Sequence, residues 1–155
     1  MSLEIRKTLA PEVAPPVAPS SEEACHRLNI SVVYTSVGST LAALKEAGSL
    51  AASLGARISL LVAQLVPHPL PLETPPVPVE FTEKRFHVIA DESPVETRVY
   101  IYLCRDRFQT LQSVLKPGSI VLVGGRKRRW WPTRDEQLAR RLQRTGFEVI
   151  FIKSE

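Results

Sequence analysis

Between residues 28 and 152, apolar runs of strand length alternate with amphipathic segments of helical spacing, and this alternation constrains the fold more than any other feature of the sequence. Strands separated by helices cannot join as tight hairpins. They line up in parallel, with each helix crossing back over the sheet. Leu28 to Thr35 (LNISVVYT) is rich in β-branched residues and ends at the turn-forming Ser36-Val37-Gly38-Ser39. Ser39 is placed to cap a helix from Thr40 to Leu54. Leu41, Leu44, Ala47, Gly48, Ala51 and Leu54 share one face of that helix, and Gly55 stops it. Arg57 to Val66 is nearly continuous in apolar residues, as a strand covered on both faces requires. Phe81 to Ala90 reads as a short helix with Thr82 as its cap and Phe81, Phe86, Ile89 and Ala90 near one face. In Thr97 to Leu103, Val99, Ile101 and Leu103 alternate with Arg98, Tyr100 and Tyr102, the pattern of a half-exposed edge strand.

Asp106 with Gln109 resembles a capping pair before a helix carrying Phe108, Leu111, Val114 and Leu115, which Lys116-Pro117-Gly118 ends. Ser119 to Val123 is a further buried strand, stopped by Gly124-Gly125. Thr133 and Glu136 form a capping box for a helix with Leu138 and Leu142 inward and Gly146 as its stop, and Phe147 to Ile152 closes the sheet. The expected architecture is a three-layer α/β/α sandwich around a five-stranded parallel sheet with right-handed crossovers. Ligands of such sheets bind beyond the carboxyl ends of the strands, where the strand order reverses. That directs attention to four loops: Ser36 to Ser39, the proline-rich loop 67–78, Cys104 to Asp106, and Gly124 to Pro132.

A chain of 155 residues suffices for one such domain, expected over residues 28–155. Residues 1–27 hold Pro11, Pro15, Pro16 and Pro19 without apolar periodicity, and read as a disordered tail. A second proline cluster (Pro67, Pro69, Pro71, Pro75, Pro76, Pro78) reads as a stiff surface loop. Cys25 and Cys104 are too few and too far apart for a disulfide scaffold. The amino-terminal stretch lacks the apolar core of a signal peptide, and no uncharged apolar run approaches the about 20 residues of a membrane span. A cytoplasmic protein with no membrane partner is expected.

The net charge of +4 conceals a local concentration. From Arg126 to Arg144 eight cations face only Asp135 and Glu136, a local balance of +6 that leaves −2 for the rest of the chain. The four consecutive cations Arg126, Lys127, Arg128 and Arg129 run into Trp130 and Trp131, a combination suited to gripping phosphates while an indole stacks on a base. A solvated turn with both indoles folded over the sheet end and Glu136 paired with Arg140 is the plainer alternative, and a protein contact surface is a third. Gly124-Gly125-Arg126 has neither the GxGxxG nor the GxxxxGK[ST] spacing. Thr35, Ser36 and Ser39 stand where free amides at a helix start would meet an anion. His26, His68 and His87 lack metal-ligand spacing, and Cys104 beside Arg105 and Arg107 reads as a buried, inert thiol. With no catalytic constellation, the chain is expected not to be an enzyme and to hold no cofactor or metal.

The order of elements over residues 28–153 resembles the universal stress protein family. The best local matches are the first strand running into Ser39-Thr40-Leu41-Ala42-Ala43-Leu44, and the run from Val99 through Phe108, Leu111 and Leu115 to Ile120-Val121-Leu122-Val123-Gly124. The resemblance implies strand order 3-2-1-4-5 for the five expected strands. Nucleotide-binding members carry an acid at the end of the first strand and a G-x-x-G motif followed by Gly-Ser or Gly-Thr after the fourth. Here Thr35 and Ser36 occupy the acidic position, and Lys127 or Arg128 stands where the second glycine belongs. The resemblance therefore implies a regulatory or interaction domain without standard ATP binding. It also implies a homodimer through the last strand, whose Phe147, Val149, Ile150 and Ile152 would otherwise leave an apolar edge open. The alternative is a module for nucleotides or other anions, single-stranded nucleic acid among them, built on Gly124, Gly125 and the basic loop 126–131.

Overall fold

A computed structural model describes residues 6–9, 28–72, 77–92 and 96–154. Six strands form one parallel sheet: β1 (Arg6–Leu9), β2 (Asn29–Val33), β3 (Arg57–Leu65), β4 (Thr97–Cys104), β5 (Ile120–Gly125) and β6 (Glu148–Lys153). Their order is β1-β4-β3-β2-β5-β6. The last five strands in the chain therefore stand as 3-2-1-4-5, the order the resemblance implies. The sixth is unanticipated. β1 lies inside the segment expected to be a disordered tail, and for residues 6–9 that expectation is corrected; the rest of the tail lies outside the described residues. β1 pairs Arg6 with Tyr100 through Leu9 with Leu103, which closes the row of backbone groups that β4 would otherwise leave open. Thr97 to Leu103 is thus an inner strand and not the expected edge.

Four helices cover the sheet: α1 (Val37–Leu54), α2 (Val79–Asp91), α3 (Arg107–Val114) and α4 (Arg134–Arg144). Successive strand residues point to opposite faces, and two cores result. On one face Ile30, Val32, Ile58, Leu60, Val99, Ile101 and Leu122 meet Ala43, Leu44, Ala47 and Ala51 of α1 and Phe86 and Ile89 of α2. On the other Val33, Leu61, Val121, Val123 and Val149 meet Leu111 and Leu115 at α3 and Leu138, Ala139 and Leu142 of α4.

Helix starts depart from expectation where the cap was misplaced. α1 begins at Val37 and its cap is Ser36, whose Oγ accepts from the Ser39 amide at 3.4 Å, while Ser39 is buried in the first turn. Gly38 is tolerated there because first-turn amides need no intrahelical acceptor. α2 begins at Val79, ahead of Thr82. The buried Thr82 hydroxyl lies 3.3 Å from Gln64 Oε1 on β3, and Phe81 faces solvent instead of the core. The caps of α3 and α4 stand as expected. Asp106 Oδ1 accepts from Gln109 N at 3.0 Å and Thr133 Oγ1 from Glu136 N at 3.3 Å. Glu136 turns to Arg140 at 2.6 Å, the pairing expected at helical spacing.

Candidate functional site

After β2 the chain builds outward through β3 and β4, then returns to add β5 on the other side of β2. The two loops that leave β2 and β5 therefore diverge to opposite faces of the sheet and open a gap between them. An open cleft of about 580 Å³ lies there, lined by Ser36, Ser39, Arg126, Arg128, Trp131, Pro132, Thr133, Arg134 and Asp135. The amino-terminal ends of α1 and α4 both enter it through their caps, Ser36 and Thr133. Capping occupies the amides of Ser39 and Glu136. Each helix's N-terminal partial positive charge is directed at the cleft.

Of the expected site residues, Ser36, Ser39, Arg126, Arg128 and Trp131 come together here. Thr133, Arg134 and Asp135 join them, and sequence reasoning assigned those only to a helix start. Thr35 lies beneath the cleft. Its Oγ1 donates to Gly124 O at 2.6 Å and its amide to Thr40 Oγ1 at 3.2 Å, tying the end of β2 to β5 and to α1. Gly124 and Gly125 are buried and serve packing. A Cβ on Gly124 would collide with the Ser39 carbonyl oxygen, and one on Gly125 would lie 2.8 Å from Asp135 Cβ and 2.9 Å from Phe151 Cζ. Their missing side chains let the starts of α1 and α4 approach the sheet, Gly124 against the backbone of Ser39 and Gly125 against the side chains of Asp135 and Phe151.

The basic loop has two sides. Arg126 and Arg128 line the cleft, whereas Lys127, Arg129 and Trp130 do not, and the Arg129 guanidinium lies 5.7 Å from the Trp130 ring centre. Trp130 and Trp131 are 82% and 78% exposed, so neither folds over the sheet end as the plainer expectation had it. Among the described residues Asp135 brings the one carboxylate into the cleft. It acts on Arg107, whose guanidinium burial pushes the pKa down while Asp135 favours its charge. Arg107 Nη2 donates to Tyr34 O at the end of β2, and its Nε is buried without a partner among the described residues. With Asp135 and Arg107 offsetting each other, Arg126, Arg128 and Arg134 leave the cleft with a cationic surplus.

No known family model matches the sequence, and no curated protein matches it. Solved structures do match. A universal stress protein family member from Burkholderia pseudomallei superimposes with a TM-score of 0.56 at 16% identity, over 81% of this chain and 96% of that one. The fold is that of the universal stress proteins. A second structure, a universal stress protein in complex with cAMP, superimposes with a TM-score of 0.51 at 11% identity over 83% of this chain and 98% of that one. In this universal-stress-protein-like sheet the last strand is an outer strand, paired only to β5 among the described residues. Val149 is buried against α3 and α4, Ile150 and Ile152 pack toward α1, and Phe147 packs on the α4 side. Val149 thus belongs to the monomer's own core, while Phe147, Ile150 and Ile152 are only partly buried by it.

Proposed function

We propose that this chain is a non-enzymatic, universal-stress-protein-like regulatory domain that binds a phosphate-bearing small ligand through cations in place of a glycine-rich loop. The observation that carries this reading is the cleft at the strand-order reversal, where two helix starts and Arg126, Arg128 and Arg134 converge beside Trp131. Guanidinium groups bind phosphate oxygens in pairs, and an exposed indole offers a face for a base. A volume of about 580 Å³ suits a mononucleotide, within the range of about 300–1,000 Å³ usual for small-ligand clefts. A fold neighbour solved with cAMP supports cyclic and linear adenine nucleotides as the first probes. Standard ATP binding is absent from the proposal, because Lys127 or Arg128 stands where the second glycine of the G-x-x-G motif belongs.

Trp131 supplies the readout. Titration with cAMP, AMP, ADP and ATP at low salt is expected to change tryptophan emission saturably. Arg126→Ala/Arg128→Ala is expected to weaken binding about tenfold or more, and added salt to weaken it further. Saturable ATP binding that ignores both the double substitution and salt would overturn the reading, as would no saturation with any of the four. The same proposal includes pairing of two copies along β6, supported by the strand's unpaired outer backbone, and a cytoplasmic location. Among the described residues no helix is long and apolar enough to cross a membrane.

A further inference from the structure

α3 is too short to cover the strands beneath it. Its 8 residues rise about 12 Å, whereas the 8 residues of β4 extend about 26 Å. Among the described residues no helix covers the amino-terminal halves of β3 and β4 on that face, at the end of the sheet opposite the cleft described above; Arg57, Arg98 and Tyr100 are half-buried there and Ser59 is buried. The residues there are polar where the covered half is apolar. Arg57 and Ser59 on β3 stand beside Asn29 on β2 and Arg98 on β4 at matched register, in place of the leucine and valines that meet α3 and α4 further along.

These residues line a second cleft of about 530 Å³ with Leu28, Tyr100 and the turn Lys116-Pro117-Gly118-Ser119. Arg57, Arg98 and Lys116 reach it from three different elements, and among the described residues no carboxylate lines it. Among the described residues none of the three cations forms an ion pair. Of the neutral groups, Asn29 is arranged to donate as well. Ser59 Oγ donates to Asn29 Oδ1 at 3.1 Å, which turns the Asn29 amide so that its NH₂ is left to donate, and Ser119 Oγ is committed to Lys116 O at 2.7 Å. A cleft that offers three cations and an amide donor, with one tyrosine hydroxyl, repels cations and favours a compact polyanion.

We infer that the amino-terminal end of the sheet carries a second anion site, formed by Arg57, Arg98, Lys116 and Asn29, for a small ligand bearing two or more phosphoryl charges. It is independent of the site between α1 and α4, since the two share no residue. The probe is inorganic pyrophosphate, followed by amide chemical shifts of the full-length chain. Saturating shifts are expected at Asn29, Gly118 and Ser119. Lys116→Glu, in an exposed turn, and separately Arg57→Gln/Arg98→Gln should each weaken that saturation about tenfold or more. Arg126→Ala/Arg128→Ala should leave it unchanged. Shifts reproduced by sodium chloride of equal ionic strength would overturn the inference, as would saturation unaltered by Lys116→Glu or abolished by the Arg126/Arg128 pair. Failure of nucleotides at the first cleft leaves this outcome untouched, so the two readings fail separately.

Discussion

Cys104 ends β4 beside Arg105, Asp106 and Arg107, a setting that on paper could make a reactive thiolate. Packing decides otherwise. The residue is 1% exposed, its Sγ lies 3.7 Å from Gln64 O, and burial pushes its pKa above the ordinary value of 9.0 against the opposing effects of Thr110 and Arg107. Its neighbours' charges are spent elsewhere. Arg105 donates to Val66 O at 2.8 Å and Leu70 O at 2.6 Å, clasping the start of the proline loop, and Arg107 reaches Tyr34 O. Because the folded thiol holds its proton above the pH at which the unfolded one releases it, this group's contribution to stability is complete below the ordinary thiol value and is lost as pH rises through the folded value. Denaturant midpoints of Cys104→Ser and the parent protein are expected to converge from about pH 8 to pH 10, with Cys104 unreactive to a thiol reagent until the chain unfolds. Rapid alkylation of the native protein at neutral pH would contradict this. Charge adjacency was legible in the sequence; which acceptors would claim those charges was not, since Val66 and Tyr34 are distant along the chain.

At the scale of elements, close approach controls the first cleft. α1 carries Ala43, Ala47, Gly48 and Ala51 against the sheet, and its first turn sits over Gly124. Gly124→Ala would drive a methyl into the Ser39 carbonyl, a backbone atom that cannot swing aside. Expected is a loss of about 1–3 kcal/mol, or more, in equilibrium unfolding, with nucleotide binding weakened as the start of α1 shifts. A neutral Gly124→Ala would mean that α1 does not rest on β5 as described. The small-residue face of α1 was readable from helical spacing. That Gly124 is its counterpart was hidden because the contact spans 85 positions between Ser39 and Gly124. α3 and α4 are joined differently, by the Arg141 guanidinium 4.0 Å from the centre of the Phe108 ring. Helix starts shifted for a similar reason: Ser36 and Ser39 are equivalent caps by composition, and the position of α1 over β5 chose between them.

On the scale of the whole molecule, one parallel sheet presents basic clefts at both ends and unequal edges. One edge is finished by β1. The other, β6, offers a backbone row unpaired among the described residues, whose side chains are already half-buried in the monomer. Pairing along β6 would therefore rest on backbone hydrogen bonds with a modest apolar contribution, and sedimentation velocity is expected to show a dimer that dissociates on dilution. A single monomeric species at every concentration would remove dimerisation from the proposal. The alternation of apolar strands with amphipathic helices, the stops at Gly55 and Gly146, and the caps at Asp106 and Thr133 were determined by the sequence alone, because each depends on residues within a few positions of one another. Tertiary structure alone decided that residues 6–9 join the sheet, that two of the loop's arginines turn into a cleft while Trp130 turns out, and that Arg57, Arg98 and Lys116 meet at the far end. Those outcomes depend on strand register and on the length of α3 relative to β4, which set residues far apart in the chain side by side.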